Sequence, residues 1–473
     1  MDRRRFLKRI AAAGVGASVM PAALTSCMKS QKPNIIYILA DDLGYGDLSC
    51  YGQQYFKTPN IDRLATEGMK FTDHYAGSTV CSPSRCSLMT GYHTGHARVR
   101  GNYENGPHGF GACLELRKED ITVAEYMKSG GYTTGMYGKW GLGVMTTTGQ
   151  PDKKGFDEWM GYLNQGNAHF YYPEYLWKNG EKLELDANKD GKRGQYSHDL
   201  IAAEALEFIK RHQDGPFFLY LPFTIPHAEL LVPEDSMRPY LKLANGKPHY
   251  SEQDGGSGHY ATQLHPHAAF AGMIERMDRD VGRILDLLNT LGIDNNTVVM
   301  FSSDNGPHLE GGADPDFFKS AGPLRGYKRD LYEGGIRMPF LVRWPGKVKP
   351  GRVSKYASAF WDFLPTACDL AGVPVPEGID GISFKPELLG KFQPEHDYLY
   401  WEFHERPATT QAIRKGNWKA VRLSPSGPIE LYDLSTDIGE KNNVAERHSE
   451  IVAQMQDLFA HARTDHELWH LKG

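Results

Sequence analysis

The sequence predicts an α/β fold: one sheet with helices on both faces, followed by a smaller α+β domain. Three observations predict it. Apolar strand-like runs alternate with amphipathic helical segments through most of the chain, several of those runs end in charged or amide residues, and after about residue 393 the texture changes to short strands in quick succession. In an open sheet of this kind ligands sit beyond the C-terminal ends of the strands, so the chemistry is to be sought there.

The chain opens "MDRRRFLKRIAAAGVGASVMPAALTSC", basic residues before a short apolar run that ends in Leu24-Thr25-Ser26-Cys27. This resembles a twin-arginine export signal closing in a bacterial lipoprotein box, with Cys27 as the lipidated residue. The expectation is a chain exported to the periplasm, the outer membrane or the cell surface and anchored to the membrane through Cys27. Residues 1–31 are read as signal and linker, 32–392 as the main domain and 393–473 as the C-terminal one. No other stretch is long and apolar enough to span a bilayer.

"PNIIYILADD" then reads as a buried strand running into two acids, and "TPNIDRLATEGMKF" as a helix capped by Asn60. "TVAEYMKSGGYTTGMYGKW" is helix, Gly-Gly turn and strand. "HDLIAAEALEFIKRH" and "PFFLYLPFTIPH" repeat the rhythm, as do "FAGMIERMDRDVGRILDLLNTLGI" and "TVVMFSSDNG". Two polar insertions, about 145–198 and 228–265, show no clear period and are expected to form loops over the active face. In the last domain "YLYWEF", "TTQAIRKGNWKAVRL" and "IELYDL" read as short antiparallel strands, and "HSEIVAQMQDLFAHAR" as a closing helix.

Composition narrows the function. A formal net charge of -5 argues against a nucleic-acid partner, which needs a basic face. The six cysteines form neither a CxxC pair nor a cysteine-histidine cluster with zinc spacing.

The residues after the strands carry chemistry. Asp41 and Asp42 end the first strand, and Asp304 and Asn305 end a later one. Four oxygen ligands on strand ends that can be neighbours suit a hard divalent cation, and an irregular, carboxylate-rich shell favours calcium. Arg85, Lys139, His227 and Lys328 supply cationic groups, three of them at or just after strand ends, and together describe a cup for a tetrahedral oxyanion. In "CSPSRCSLMTG", Pro83 fits a first helical turn and places Cys81 at a helix N-terminus, where dipole and free N–H groups favour a thiolate.

That stretch is similar to the sulfatase signature, Cys-x-Pro-Ser-Arg followed by a Leu-x-Thr-Gly helix. "PNIIYILADDLGYGDLSCYG", "GYTTGMYGKW", "SSDNGP", "GYKRDLYEGGIRMPFLVRWPG" and "AIRKGNWKAV" resemble further segments of type I sulfatases in family order. The resemblance implies an alkaline phosphatase-like α/β/α sandwich with a large mixed sheet, and oxidation of Cys81 to formylglycine, whose hydrate is the nucleophile, by a separate maturation enzyme. It implies Ca2+ on Asp41, Asp42, Asp304 and Asn305, with Asp304 also taking the proton of the attacking hydroxyl. By the same resemblance Arg85 and Lys139 hold formylglycine and sulfate, and His227 and Lys328 bind sulfate and protonate the leaving oxygen. One departure is Gly141 in "GKWGLG", where many members carry a histidine assigned as base for hemiacetal breakdown; another histidine, His308 being one candidate, or water is the expected replacement.

The expected substrate is a sulfated glycan, of galactose or N-acetylgalactosamine type, attacked from its end. His169 in "NAHFYYPEYLW" is a candidate for binding the sugar, and Glu402 and His404 in "YWEFHE" are candidates reaching in from the last domain. Three other readings remain: a phosphonate monoester or phosphodiester hydrolase of the same superfamily, a sulfated-glycan binding lipoprotein without turnover, and a structural protein, against which the lack of any repeat or polymerising pattern argues.

Overall fold

The computed structural model describes residues 32–102, 114–243, 246–256 and 259–473, so the leader and its Cys27 lie outside the described residues. Fifteen strands are present among them: β1 (Asn34–Ala40), β2 (Met69–Tyr75), β3 (Thr133–Lys139), β4 (Glu158–Tyr162), β5 (Tyr175–Lys178), β6 (Glu181–Glu184), β7 (Phe217–Pro222), β8 (Thr297–Ser303), β9 (Arg337–Arg343), β10 (Arg352–Ser354), β11 (Ser358–Ala359), β12 (Leu399–Phe403), β13 (Thr410–Lys415), β14 (Trp418–Arg422) and β15 (Glu430–Asp433). The first eleven form one mixed sheet, ordered β10-β2-β9-β8-β1-β7-β3-β4-β5-β6 with β11 beside β2. Its centre, β8-β1-β7-β3-β4, is parallel, and both flanks contain antiparallel pairs.

β1 shows why the sheet is sandwiched. Every residue of "NIIYILA" is buried, so the strand has no solvent face and must be covered twice. Ile36 and Ile38 point into a core with the helices Ser197–Arg211 and Pro266–Thr290. Ile35, Tyr37 and Leu39 point the other way, into a core with the helices Cys81–Thr90, Val123–Ser129 and Phe363–Ala371. The result is the predicted α/β/α sandwich.

β12 to β15 form a separate antiparallel sheet. One face, through Tyr400, Ile413 and Leu431, takes Met455 and Phe459 of the helix Ser449–His461. The other, through Trp401, Phe403 and Val421, packs on Tyr75, Val80, Ile336 and Trp361. Buried charges cross the same junction: Lys419 Nζ donates to Glu333 Oε1 at 2.8 Å, and Arg414 pairs with Asp73 at 2.8 Å.

Three expectations are corrected. Asn60 is not a cap: the helix runs Pro59–Thr66 with Thr58 before it, and Asn60 instead bonds Asp278 through its backbone N at 2.9 Å and its Nδ2 at 2.8 Å. The segment after that helix, Met69–Tyr75, is β2 rather than more helix. The insertion 145–198 is not merely loop, because β4, β5 and β6 lie within it and extend one edge of the sheet.

Candidate active site

β1 lies between β7 and β8, with Ala40 opposite Ser303 and Leu39 opposite Pro222. The residues that leave these strands, Asp41-Asp42 and Asp304-Asn305, therefore emerge side by side; Lys139 ends β3, one strand further on. All five are fully buried. Asp42 turns into the left-handed region (φ 62°), and its backbone N donates to Asp304 Oδ1 at 3.1 Å. Asn305 Nδ2 donates to Asp42 Oδ1 at 2.6 Å.

The cations close on these acids. Lys139 Nζ donates to Asp41 Oδ2 at 2.6 Å. Arg85 donates from Nε and Nη2 to Asp304 Oδ2 at 3.0 and 2.8 Å, and from Nη1 to the Lys139 carbonyl at 2.5 Å. Lys328 Nζ donates to Asp42 Oδ2 at 2.7 Å and to His227 Nε2 at 2.9 Å. Burial opposes charge on Lys328, but Asp42 prevails and holds its pKa well above the ordinary lysine value. Burial, then the charge of Lys328, pushes His227 well below the ordinary histidine value, so its imidazole is neutral, with Nδ1–H tied to the Ala228 carbonyl.

The donor set fits a divalent cation. Asn305 Oδ1 is buried without a hydrogen-bond partner, and burial, then the charge of Asp41, drives the Asp304 pKa upward, a strain that a cation among these oxygens relieves. The charges also argue for one: Asp41, Asp42 and Asp304 cancel Arg85, Lys139 and Lys328, leaving no surplus to attract an anion.

Cys81 opens the helix Cys81–Thr90, which Gly91 ends at φ 78°. The expected thiolate is overturned. Cys81 is 2% exposed, its Sγ donates to Asp41 Oδ1 at 3.5 Å, and burial, followed by the Asp41 charge, pushes its pKa well up. The residue sits in a cavity of about 300 Å³ with Gln165, His169, His227, Tyr260, Glu310 and Lys328 among its walls.

His169 faces this cavity, its ring stacked on His227 at 4.5 Å. His308 does not suit the role of base. It stacks behind His227 at 5.3 Å, Nε2 lies 3.2 Å from the Pro226 carbonyl, and Nδ1 accepts from Glu310 N at 3.1 Å, so neither nitrogen has a free lone pair. Glu402 and His404 are placed elsewhere. Glu402 gives its carboxylate to Arg100, Arg463, Tyr400 and His404 in the packed junction beneath the C-terminal sheet, and neither residue lines the cavity.

Several wall residues escaped the sequence reading, Glu310, Arg329, Tyr260 and Gln165 among them. Glu310 accepts from Arg329 Nη1 and from the Tyr260 hydroxyl, both at 2.7 Å. Glu310 and Arg329 stand beside motif residues, in "PHLEGG" and "GYKRD", but nothing local separates them from solvated charges. Gln165, within an insertion, carried no signal at all.

Asp380 also brings His93 and His96 within metal-ligand reach of one another. His93 Nδ1 accepts from Gly95 N at 3.1 Å, which leaves the proton on Nε2, the atom facing Asp380. That cluster is held by hydrogen bonds.

The sulfatase family model matches residues 33–373, and that for the C-terminal region of N-sulphoglucosamine sulphohydrolase matches 326–465. The chain is 30% identical to an N-acetylgalactosamine-6-O-sulfatase of Bacteroides thetaiotaomicron, with 94% of this chain and 97% of the relative covered. It is 32% identical to human arylsulfatase A, covering 91% and 87%. Among solved structures it resembles Ps i-CgsB bound to k-i-k-neocarrahexaose, with TM-score 0.77, 29% identity and coverage of 91% and 92%. A phosphonate monoester hydrolase of Agrobacterium radiobacter, at 21% identity, TM-score 0.64 and coverage of 90% and 95%, shares the fold. On these matches the chain belongs to the sulfatase family and is a sulfuric ester hydrolase.

Proposed function

We propose that this sulfatase is an exported, formylglycine- and calcium-dependent enzyme that removes sulfate from the end of a galactose- or N-acetylgalactosamine-type glycan. The observation that carries the reading is the meeting of Cys81, Asp41 and Lys139 within 3.5 Å steps at the foot of one cavity. The name of the Bacteroides relative supports the sugar. The cavity, about 300 Å³, is at the small end of ligand pockets and suits one sugar ring rather than the middle of a chain.

The residues then divide the work. Arg85, clamped by Asp304 and the Lys139 carbonyl, and Lys139 itself hold the modified residue 81 and the sulfate oxygens. Asp304 takes the proton of the attacking hydroxyl. Lys328 and His227, joined by a hydrogen bond, deliver a proton to the departing sugar oxygen. Calcium, held by Asp41, Asp42, Asp304 and Asn305, would supply positive charge for the sulfate oxygens. Tyr260, Glu310 and Arg329 form a polar rim for the sugar hydroxyls. A maturation enzyme for Cys81, and export with lipid anchoring at Cys27, complete the proposal. Among the described residues no helix is long and apolar enough to cross a membrane.

The test is mass analysis of the peptide containing Cys81, from protein made with a maturation enzyme, paired with sulfate release from a panel of sulfated monosaccharides. Aldehyde at position 81 with release from a galactose-type sulfate supports the reading. Aldehyde without release from any sulfate ester, but with turnover of a phosphonate or phosphodiester, would replace the substrate. An unconverted thiol overturns the mechanism.

A further inference from the structure

The side chain of Gln165 occupies a place with a definite hydrogen-bond count. Its Nε2 donates to Ser82 Oγ at 2.6 Å, and Ser82 Oγ lies 3.0 Å from the Gly141 carbonyl. The serine has one proton, which goes to that carbonyl, so it must accept from Gln165. This fixes the orientation of the amide and turns Oε1 away from Ser82. Oε1 then has no hydrogen-bond partner among the described residues, although the residue is 7% exposed and the atom is shielded from solvent. A shielded, unsatisfied carbonyl is destabilising.

The Gln165 amide also fills the space beside Gly141, so a side chain at position 141 would displace it. A Cβ added to Gly141 would lie 2.4 Å from Gln165 Nε2, at a backbone φ of 75° that favours glycine. The glutamine is thus locked against residue 82, next to Cys81, and lines the same cavity as Cys81. A group missing from the unmodified chain and present in the mature one would complete it: a hydroxyl on the side chain of residue 81.

We propose that Gln165 is a positioning residue whose Oε1 accepts a hydrogen bond from one hydroxyl of the formylglycine hydrate at position 81, favouring hydrate over free aldehyde and orienting the other hydroxyl for attack. This rests on the formylglycine reading above. Water adds across the aldehyde C=O, its oxygen bonding to carbon and its proton to the former carbonyl oxygen, so the hydrate carries two hydroxyls and no redox change occurs. The amide carbonyl acts as an acceptor only and takes no proton.

The experiment compares wild type with Gln165→Met, which keeps volume without an acceptor, and Gln165→Glu, which keeps acceptor oxygens. Mass analysis first establishes the aldehyde content at position 81 in each. The rate of labelling by an aminooxy reagent, which consumes free aldehyde, then reports the hydrate equilibrium without reference to turnover. Losing one such bond should speed labelling of Gln165→Met about fivefold to tenfold. Its kcat should fall at least as much, with KM for the sugar sulfate within about twofold, because the bond is made to residue 81 and not to the sugar. Gln165→Glu should label at the wild-type rate. Equal labelling and kcat in wild type and Gln165→Met, with aldehyde present in both, would overturn the role of Gln165 and leave the formylglycine reading intact. Fast labelling of both variants would assign the residue to holding Ser82 and overturn it too. No aldehyde in wild type would remove the formylglycine reading and this inference with it.

Discussion

Lys328 donates a hydrogen bond to His227: Nζ lies 2.9 Å from Nε2, while Nδ1–H is already committed to the Ala228 carbonyl. The lysine is the charged member of the pair and the histidine the acceptor, and the proposed function makes the two one acid. Lys328→Ala and His227→Ala should each lower kcat by about 10²–10⁴-fold, the range for a positioned acid. The loss should shrink for an aryl sulfate, whose leaving oxygen needs less protonation. Steady-state rates on a sugar sulfate and an aryl sulfate check this, and equal losses on both would count against the pair as acid.

Removing divalent cations should abolish sulfate release and lower the thermal midpoint, with calcium restoring both. At free calcium a hundredfold above its dissociation constant the stabilisation is about 2.7 kcal/mol. Asn305→Ala removes the unpaired Oδ1 and should raise the calcium needed for half-restoration. Calorimetry with and without a chelator measures both effects.

Cys81→Ser should fold normally, since it exchanges one small buried side chain for another. It should release no sulfate catalytically, because a single hydroxyl that captures sulfate offers no second one to expel it. A stoichiometric sulfate adduct on the peptide containing position 81, seen by mass spectrometry, is the expected trace.

The junction beneath the C-terminal sheet should be acid-sensitive. Burial alone would raise the Glu402 pKa, but the hydrogen bond from His404, then Arg100 and Arg463, lower it from 4.5 to about 2. A carboxyl with a depressed folded-state pKa contributes stability that is present above pH 4.5 and is lost as pH falls from there toward 2. Glu402→Gln leaves Arg100 buried without its counter-charge and Arg463 with Asp465 alone, so it should cost about 3–5 kcal/mol near neutrality and progressively less in acid. Denaturant titrations at a series of pH values test the convergence.

The site was legible where chemistry follows strand ends. Asp41-Asp42, Asp304-Asn305 and Lys139 leave neighbouring strands, and an α/β rhythm with polar strand exits marks them in the chain. What was illegible depends on distant partners. Cys81 has the local look of a thiolate, yet Asp41, forty residues earlier, and complete burial reverse that. Glu402 looks like a reaching acid until Arg100 and Arg463 are seen to hold it. β4 to β6 form where the sequence shows no period, because their stability comes from pairing with β3 and with each other. Gln165 is defined only by the gap at Gly141 and the hydroxyl of Ser82.

The 2% exposure of Cys81 fixes an order of events in the life of the chain. Its surroundings come from residues as far along as Lys328, so its burial is complete only once the sheet has closed over it. On the proposed formylglycine reading, an enzyme that acts on this thiol reaches it before the sheet closes, so the share of converted molecules is set during synthesis.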